Sequence, residues 1–166
     1  MISLDLLLKH MQWANKEIYM EVSKLDREVL DYFVIDPEWK VKTIMLHIAK
    51  ASNNYAQYLQ GEEEVKQLAF EELVTSGDIE ALSDALYKID QVLIDNQDIE
   101  DVDLIFRTRS DGSEKGQKKH KASTVFSQMI FHATEHRAQI VAALDNHNIR
   151  SINLDNYDVW SFVRVR

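Results

Sequence analysis

Apolar positions recur at steps of three and four along four long stretches of the chain, the spacing that lines one face of an α-helix. The first stretch runs from about Ser3 to Lys24, with Leu4, Leu8, Met11, Ala14, Ile18, Val22 and Leu25 in one stripe. Ser3 suits the N-cap, and Asp5 suits the positive end of the helix behind it. The second runs from about Trp39 to Gln60, with Asp36-Pro37 at its start and Gly61 at its exit. Its stripe is Val41, Ile44, Met45, Ile48, Tyr55 and Leu59. The third spans Ile79 to Asn96 behind a break at Thr75-Ser76-Gly77-Asp78, with Asp78 as cap and Ile79, Leu82, Leu86, Ile89 and Leu93 on one face. The fourth runs from about Ser123 to Asn146, with Met129, Ala133, His136, Ile140 and Leu144 in line and His132 and Ala143 beside them.

Between these stretches the pattern changes. Glu62 to Leu73 suggests a short acidic helix. From Asp103 to Lys121 the period drops to two: Leu104, Phe106 and Thr108 alternate with Ile105, Arg107 and Arg109, and Asp111-Gly112 is a turn signal. Lys118 to Lys121 then returns as the second strand of a hairpin, with a flexible loop as the alternative. The last twenty residues have no clear period, and Tyr157 and Trp160 suggest that this tail packs back onto the helices. The expected architecture is all-α, a four-helix bundle with a short β-hairpin before the last long helix.

Composition narrows the class. One Pro and four Gly in 166 residues leave long helices uninterrupted, and the length suits a single domain over 1–166. The chain has no Cys, so a metal must be held by His, Asp or Glu, and thiol chemistry needs a thiol from outside. A formal charge of −9 argues against nucleic acid or an anionic membrane as partner. The longest apolar run is Ile140 to Leu144, far short of a span, and Met1 to Leu8 lacks the character of a secretion signal. The cytoplasm is the expected compartment.

Candidate chemistry lies in the histidines. His132 and His136 stand four apart on one helix, which sets the residues on one face about 6 Å apart and lets both imidazoles reach one ion through bonds of about 2.0–2.1 Å. The pair has two readings: core histidines hydrogen-bonded to their neighbours, or ligands that share an ion. Two buried imidazoles left without partners cost about 1–3 kcal/mol each, and an ion would satisfy both. His47 lies mid-way along the second helix, beside its stripe, and neighbouring helices of a bundle would bring all three rings to a similar depth.

Trp13-Ala14-Asn15, Thr43-Ile44-Met45-Leu46-His47-Ile48, and the run from His132 through Arg137 and Gln139 to Ile140 resemble the DinB-like family. The last run resembles that family's His-x-x-x-His-Arg-x-Gln-Ile signature. The order of segments fits over nearly the whole chain, whereas Glu62 to Lys121 matches in layout alone. The resemblance implies a long crossover connection in the bundle, a divalent metal on His47, His132 and His136 with water in the remaining position, and a homodimer. It implies thiol-dependent transfer or isomerisation with a low-molecular-weight thiol as co-substrate.

Three histidines with an open position match catalytic rather than structural zinc sites, and nickel also suits imidazole. Zinc can bring a bound water to a pKa of about 7. The expected function is a metal-dependent thiol transferase or hydrolase acting on small molecules. The alternatives are a stress-response bundle that the ion merely stabilises, or a partner-binding bundle without metal.

Other residues carry weaker expectations. Asn15 and Gln139 would either orient ligands or make ordinary contacts. Arg137 would pair with an acidic neighbour or an anionic substrate, and Glu135 would be solvated. His10 would line the pocket or pack rather than ligate, and His120 and His147 would be exposed. Arg107, Arg109, Lys115, Lys118, Lys119 and Lys121 form a basic segment, read as a solvated hairpin or as an anion-attracting rim.

Overall fold

The computed structural model describes residues 3–61, 68–110 and 114–165, and for 106–110 and 114–118 the backbone alone. Four long helices form the body: α1 (Leu4–Ser23), α2 (Val41–Leu59), α4 (Ile79–Asp95) and α5 (Ala122–Asn146). A short α3 (Phe70–Ser76) precedes α4, and α6 (Val159–Arg164) closes the described chain. Ser3 caps α1 by accepting from the Leu6 amide at 3.2 Å, and Asp78 caps α4 by accepting from the Ala81 amide at 3.0 Å. Gly77, at φ 78°, ends α3 in the left-handed region, where a residue with a Cβ would be strained.

The stripes become the core. Leu8, Met11, Ala14, Ile18 and Val22 of α1 are buried, as are Ile44, Met45 and Ile48 of α2, Leu82, Leu86 and Leu93 of α4, and Met129, Ile140 and Leu144 of α5. Each large side chain among them contributes about 1.5–3 kcal/mol through burial. The helices pack in the cyclic order α1–α4–α2–α5, so α1 and α2, successive long helices, face each other across the diagonal, as do α4 and α5. That arrangement needs crossover connections rather than short up-and-down turns.

The hairpin is real and longer than expected. β1 (Asp103–Ser110) pairs antiparallel with β2 (Glu114–Lys121), in a register that sets Leu104 opposite His120. Leu104 anchors it in the core. The turn signal at Asp111-Gly112 lies outside the described residues. The side chains of Arg107, Arg109, Lys115 and Lys118 lie outside them too, whereas Lys121 pairs with Asp103 at 3.1 Å.

Three expectations shift. The short acidic helix lies at Phe70–Ser76 rather than Glu62–Leu73, and 62–67 fall outside the described residues. The second long helix begins at Val41, not Trp39. The Asp36 side chain accepts from the Glu38 amide at 2.9 Å, and the Asp36 carbonyl accepts from the Trp39 amide at 2.9 Å. This turn holds Trp39 just ahead of the helix. In the tail, Tyr157 and Phe162 pack onto α1, while Trp160 is 75% exposed. Asp158 caps α6, and on a helix so short Trp160 and Phe162 cannot both turn inward.

Candidate metal centre

His47 comes from the middle of α2, and His132 and His136 from successive turns of α5, the helix packed beside it. Their ring nitrogens converge: His132 Nε2 lies 2.9 Å from His47 Nε2 and 3.1 Å from His136 Nε2. One ligand nitrogen from each lies within 4.8 Å of the others, so the group could hold a metal ion. His136 is 8% exposed, and the other two reach solvent. Burial, followed by the neighbouring His136 and His47 rings, holds His132 down to about 4. Burial and then His136 lower His47 as well. Both are therefore neutral at pH 7, with a lone pair free on each ring.

The donor set suits a cation on its own geometry. An imidazole nitrogen carries either one in-plane proton or one lone pair. His132 Nε2 faces two other ring nitrogens at hydrogen-bonding distance, and a single N–H there would be a shared, weakened donor. Three lone pairs at these distances would repel one another, and a cation at their common centre would turn that repulsion into three ligand bonds.

Outer contacts hold the rings in place. Gln139, one turn beyond His136, accepts from His136 Nδ1 at 2.8 Å and from Trp39 Nε1 at 2.9 Å through the same oxygen. The Trp39 ring also stands edge-on to His47 and His136, with centroids 5.3 and 5.6 Å away. Trp39 and Gln139 then line a mostly apolar cleft of about 340 Å³ with Val34, Ile35, Ile44 and Ala143.

Behind the cluster lies a buried polar knot that joins several helices. Arg137, 4% exposed, donates to Asn15 Oδ1 at 2.6 Å and to Thr134 Oγ1 at 3.0 Å. Asn15 in turn donates to Asp90 Oδ2 at 2.8 Å. Asp90 is fully buried on α4, and its Oδ1 has no hydrogen-bond partner. Burial raises its pKa to about 7, against the pull of hydrogen bonds from Asn15 and Ser52 and of the Arg137 charge.

Of the sequence candidates, then, His47, His132 and His136 are brought together, and Gln139 touches a ring of the cluster. Asn15 does not: it bridges Arg137 to Asp90. Arg137 faces the core rather than a substrate. His10 is buried and donates from Nε2 to the Tyr157 carbonyl at 2.8 Å, with its ring against Phe162, so it serves packing. Glu135, His120 and His147 are exposed, and His147 stacks on Tyr32 at 3.9 Å. Sequence reasoning missed Asp90 and the site role of Trp39. Asp90 was findable, because it stands four residues after Leu86 and three before Leu93, on the buried face.

A helical bundle with three histidines facing one another from two neighbouring helices defines a class of proteins able to take a metal ion between helices. The chain belongs to the DinB family, whose sequence model matches residues 1–158. No curated protein and no solved structure matches it. Among the described residues no helix is long and apolar enough to cross a membrane.

Proposed function

We propose that this chain binds one divalent metal ion, zinc or nickel, through His47, His132 and His136 and acts as a metal-dependent enzyme on small molecules, as a thiol-dependent transferase or a hydrolase. One observation carries the reading: three imidazole nitrogens from two helices meet within 4.8 Å, with His47 and His132 open to solvent. When bound, such an ion acts as a Lewis acid that lowers the pKa of a coordinated water or thiol. The chain's own part is to present His47 and His132 as neutral rings, to hold His136 in orientation through Gln139, and to leave one side of the cluster accessible. Because the chain lacks Cys, a nucleophilic thiol comes from a second small molecule. The apolar cleft beside Trp39 offers room for the hydrocarbon part of a substrate. The homodimer that the resemblance implies belongs to the same proposal, with light scattering as its test.

Elemental analysis of gently purified protein should find close to one zinc or nickel per chain. A screen of low-molecular-weight thiols against electrophiles should then show turnover that disappears with chelator and returns with metal. Metal without turnover would favour the reading of a non-catalytic stress-response bundle. Absence of stoichiometric metal, even after incubation with zinc, would remove both.

A further inference from the structure

We infer that Trp39 and Gln139 are positioning residues that lock His136 in the tautomer with its proton on Nδ1, so that Nε2 is bare before any ligand arrives. The inference rests on the metal reading above for its purpose, but not for its geometry. An indole N–H can only donate. The Gln139 amide atom 2.9 Å from Trp39 Nε1 is therefore the oxygen, and the rotamer in which amide nitrogen and oxygen change places is excluded. That same oxygen lies 2.8 Å from His136 Nδ1. Two lone pairs facing at that distance would repel, so Nδ1 bears the proton. In the neutral ring this leaves Nε2 as a lone pair, and Nε2 is the atom that faces His132 at 3.1 Å.

The relay spans the fold. Trp39 sits in the turn before α2, a hundred residues from Gln139 on α5. Gln139 lies three residues after His136, on the same helical face. Without the Trp39 indole the amide loses the donor that fixes it, and its NH₂ could turn to His136 Nδ1 and push the proton to Nε2, where it would block ligation. Histidine ligands commonly owe their orientation to such a partner on the second nitrogen, and its loss typically costs about 10–100-fold in metal affinity.

Long-range proton–nitrogen NMR of the histidine rings in metal-free protein tests this directly, alongside zinc affinity measured by competition with a chromogenic chelator. The wild type should show His136 protonated at Nδ1. Gln139→Ala and Trp39→Phe should each release that bias and weaken zinc by about 10–100-fold. Gln139→Glu keeps an acceptor for both donors, so it should retain the tautomer and most of the affinity. A wild-type His136 protonated at Nε2, or one unchanged in Gln139→Ala, would overturn the inference. The Nδ1 tautomer in a wild type that binds no zinc would uphold the relay and sink the metal reading instead.

Discussion

Replacing His132 by Ala is expected to abolish stoichiometric metal binding while leaving the bundle folded. His132 Nε2 is the one ring atom within hydrogen-bonding distance of both other histidines, so its loss removes a polar contact between α2 and α5 as well as a ligand. The drop in zinc affinity should exceed the roughly 10–100-fold typical of losing an outer contact. The metal-free variant should melt close to the metal-free wild type, because His132 is partly exposed and holds no core position. What disappears is the rise in melting temperature on adding zinc, which follows from binding to the folded state alone. A zinc-dependent rise that survives in His132→Ala would show that any metal is held elsewhere.

The second large effect concerns stability. Arg137→Met is expected to cost on the order of 3 kcal/mol, from a buried network losing its cation and two hydrogen bonds, and the cost should grow with pH. The sign follows from Asp90. Its folded pKa of about 7 lies above the usual carboxylate value of 3.8, so the folded state holds a proton that the unfolded chain has released. Between those pH values Asp90 lowers stability as pH rises, at about 1.4 kcal/mol for each pKa unit. Below the lower value the penalty is absent, and above the upper one it is complete. Without Arg137 the folded pKa climbs further and the window extends upward. The three histidines with lowered pKa values, His10, His47 and His132, act in the opposite sense in acid, so the informative quantity is a difference between variants. Wild type minus Asp90→Asn, followed by urea unfolding from pH 5 to pH 8.5, should fall with pH. A flat difference would mean that Asp90 is charged throughout and fully compensated by Arg137.

Most of the fold was legible because it rests on repetition. A stripe such as Ile79, Leu82, Leu86, Ile89 and Leu93 fixes a helix and its buried face regardless of what packs against it. The three ligand candidates were legible for a related reason: a His within or at the edge of such a stripe lies close to the packed face, and the packed faces of two helices in one bundle can meet. Trp39 was misread because its turn chemistry depends on one side chain, Asp36, whose bond to the Glu38 amide delays the helix by two residues. That delay puts the indole beside the histidines. Asp90 was overlooked because a carboxylate on an apolar face reads as a gap in the stripe; its partners Asn15 and Arg137 lie on other helices, and no local pattern links them. In the tail, Trp160 drew notice by size, yet Phe162 is the residue that inserts, since Asp158 sets the phase of α6.

The cyclic order α1–α4–α2–α5 has a consequence for how the chain is made. Neither side neighbour of α1 has emerged from the ribosome when α1 and α2 are complete, and the second neighbour, α5, comes last among the long helices. The first half of the protein therefore cannot collapse as an independent helical hairpin. Its contacts are distant along the chain, which slows folding relative to an up-and-down bundle of the same size. Synthesis halted before α4 would release a chain with the apolar face of α1 still bare, a ready substrate for chaperones and proteases.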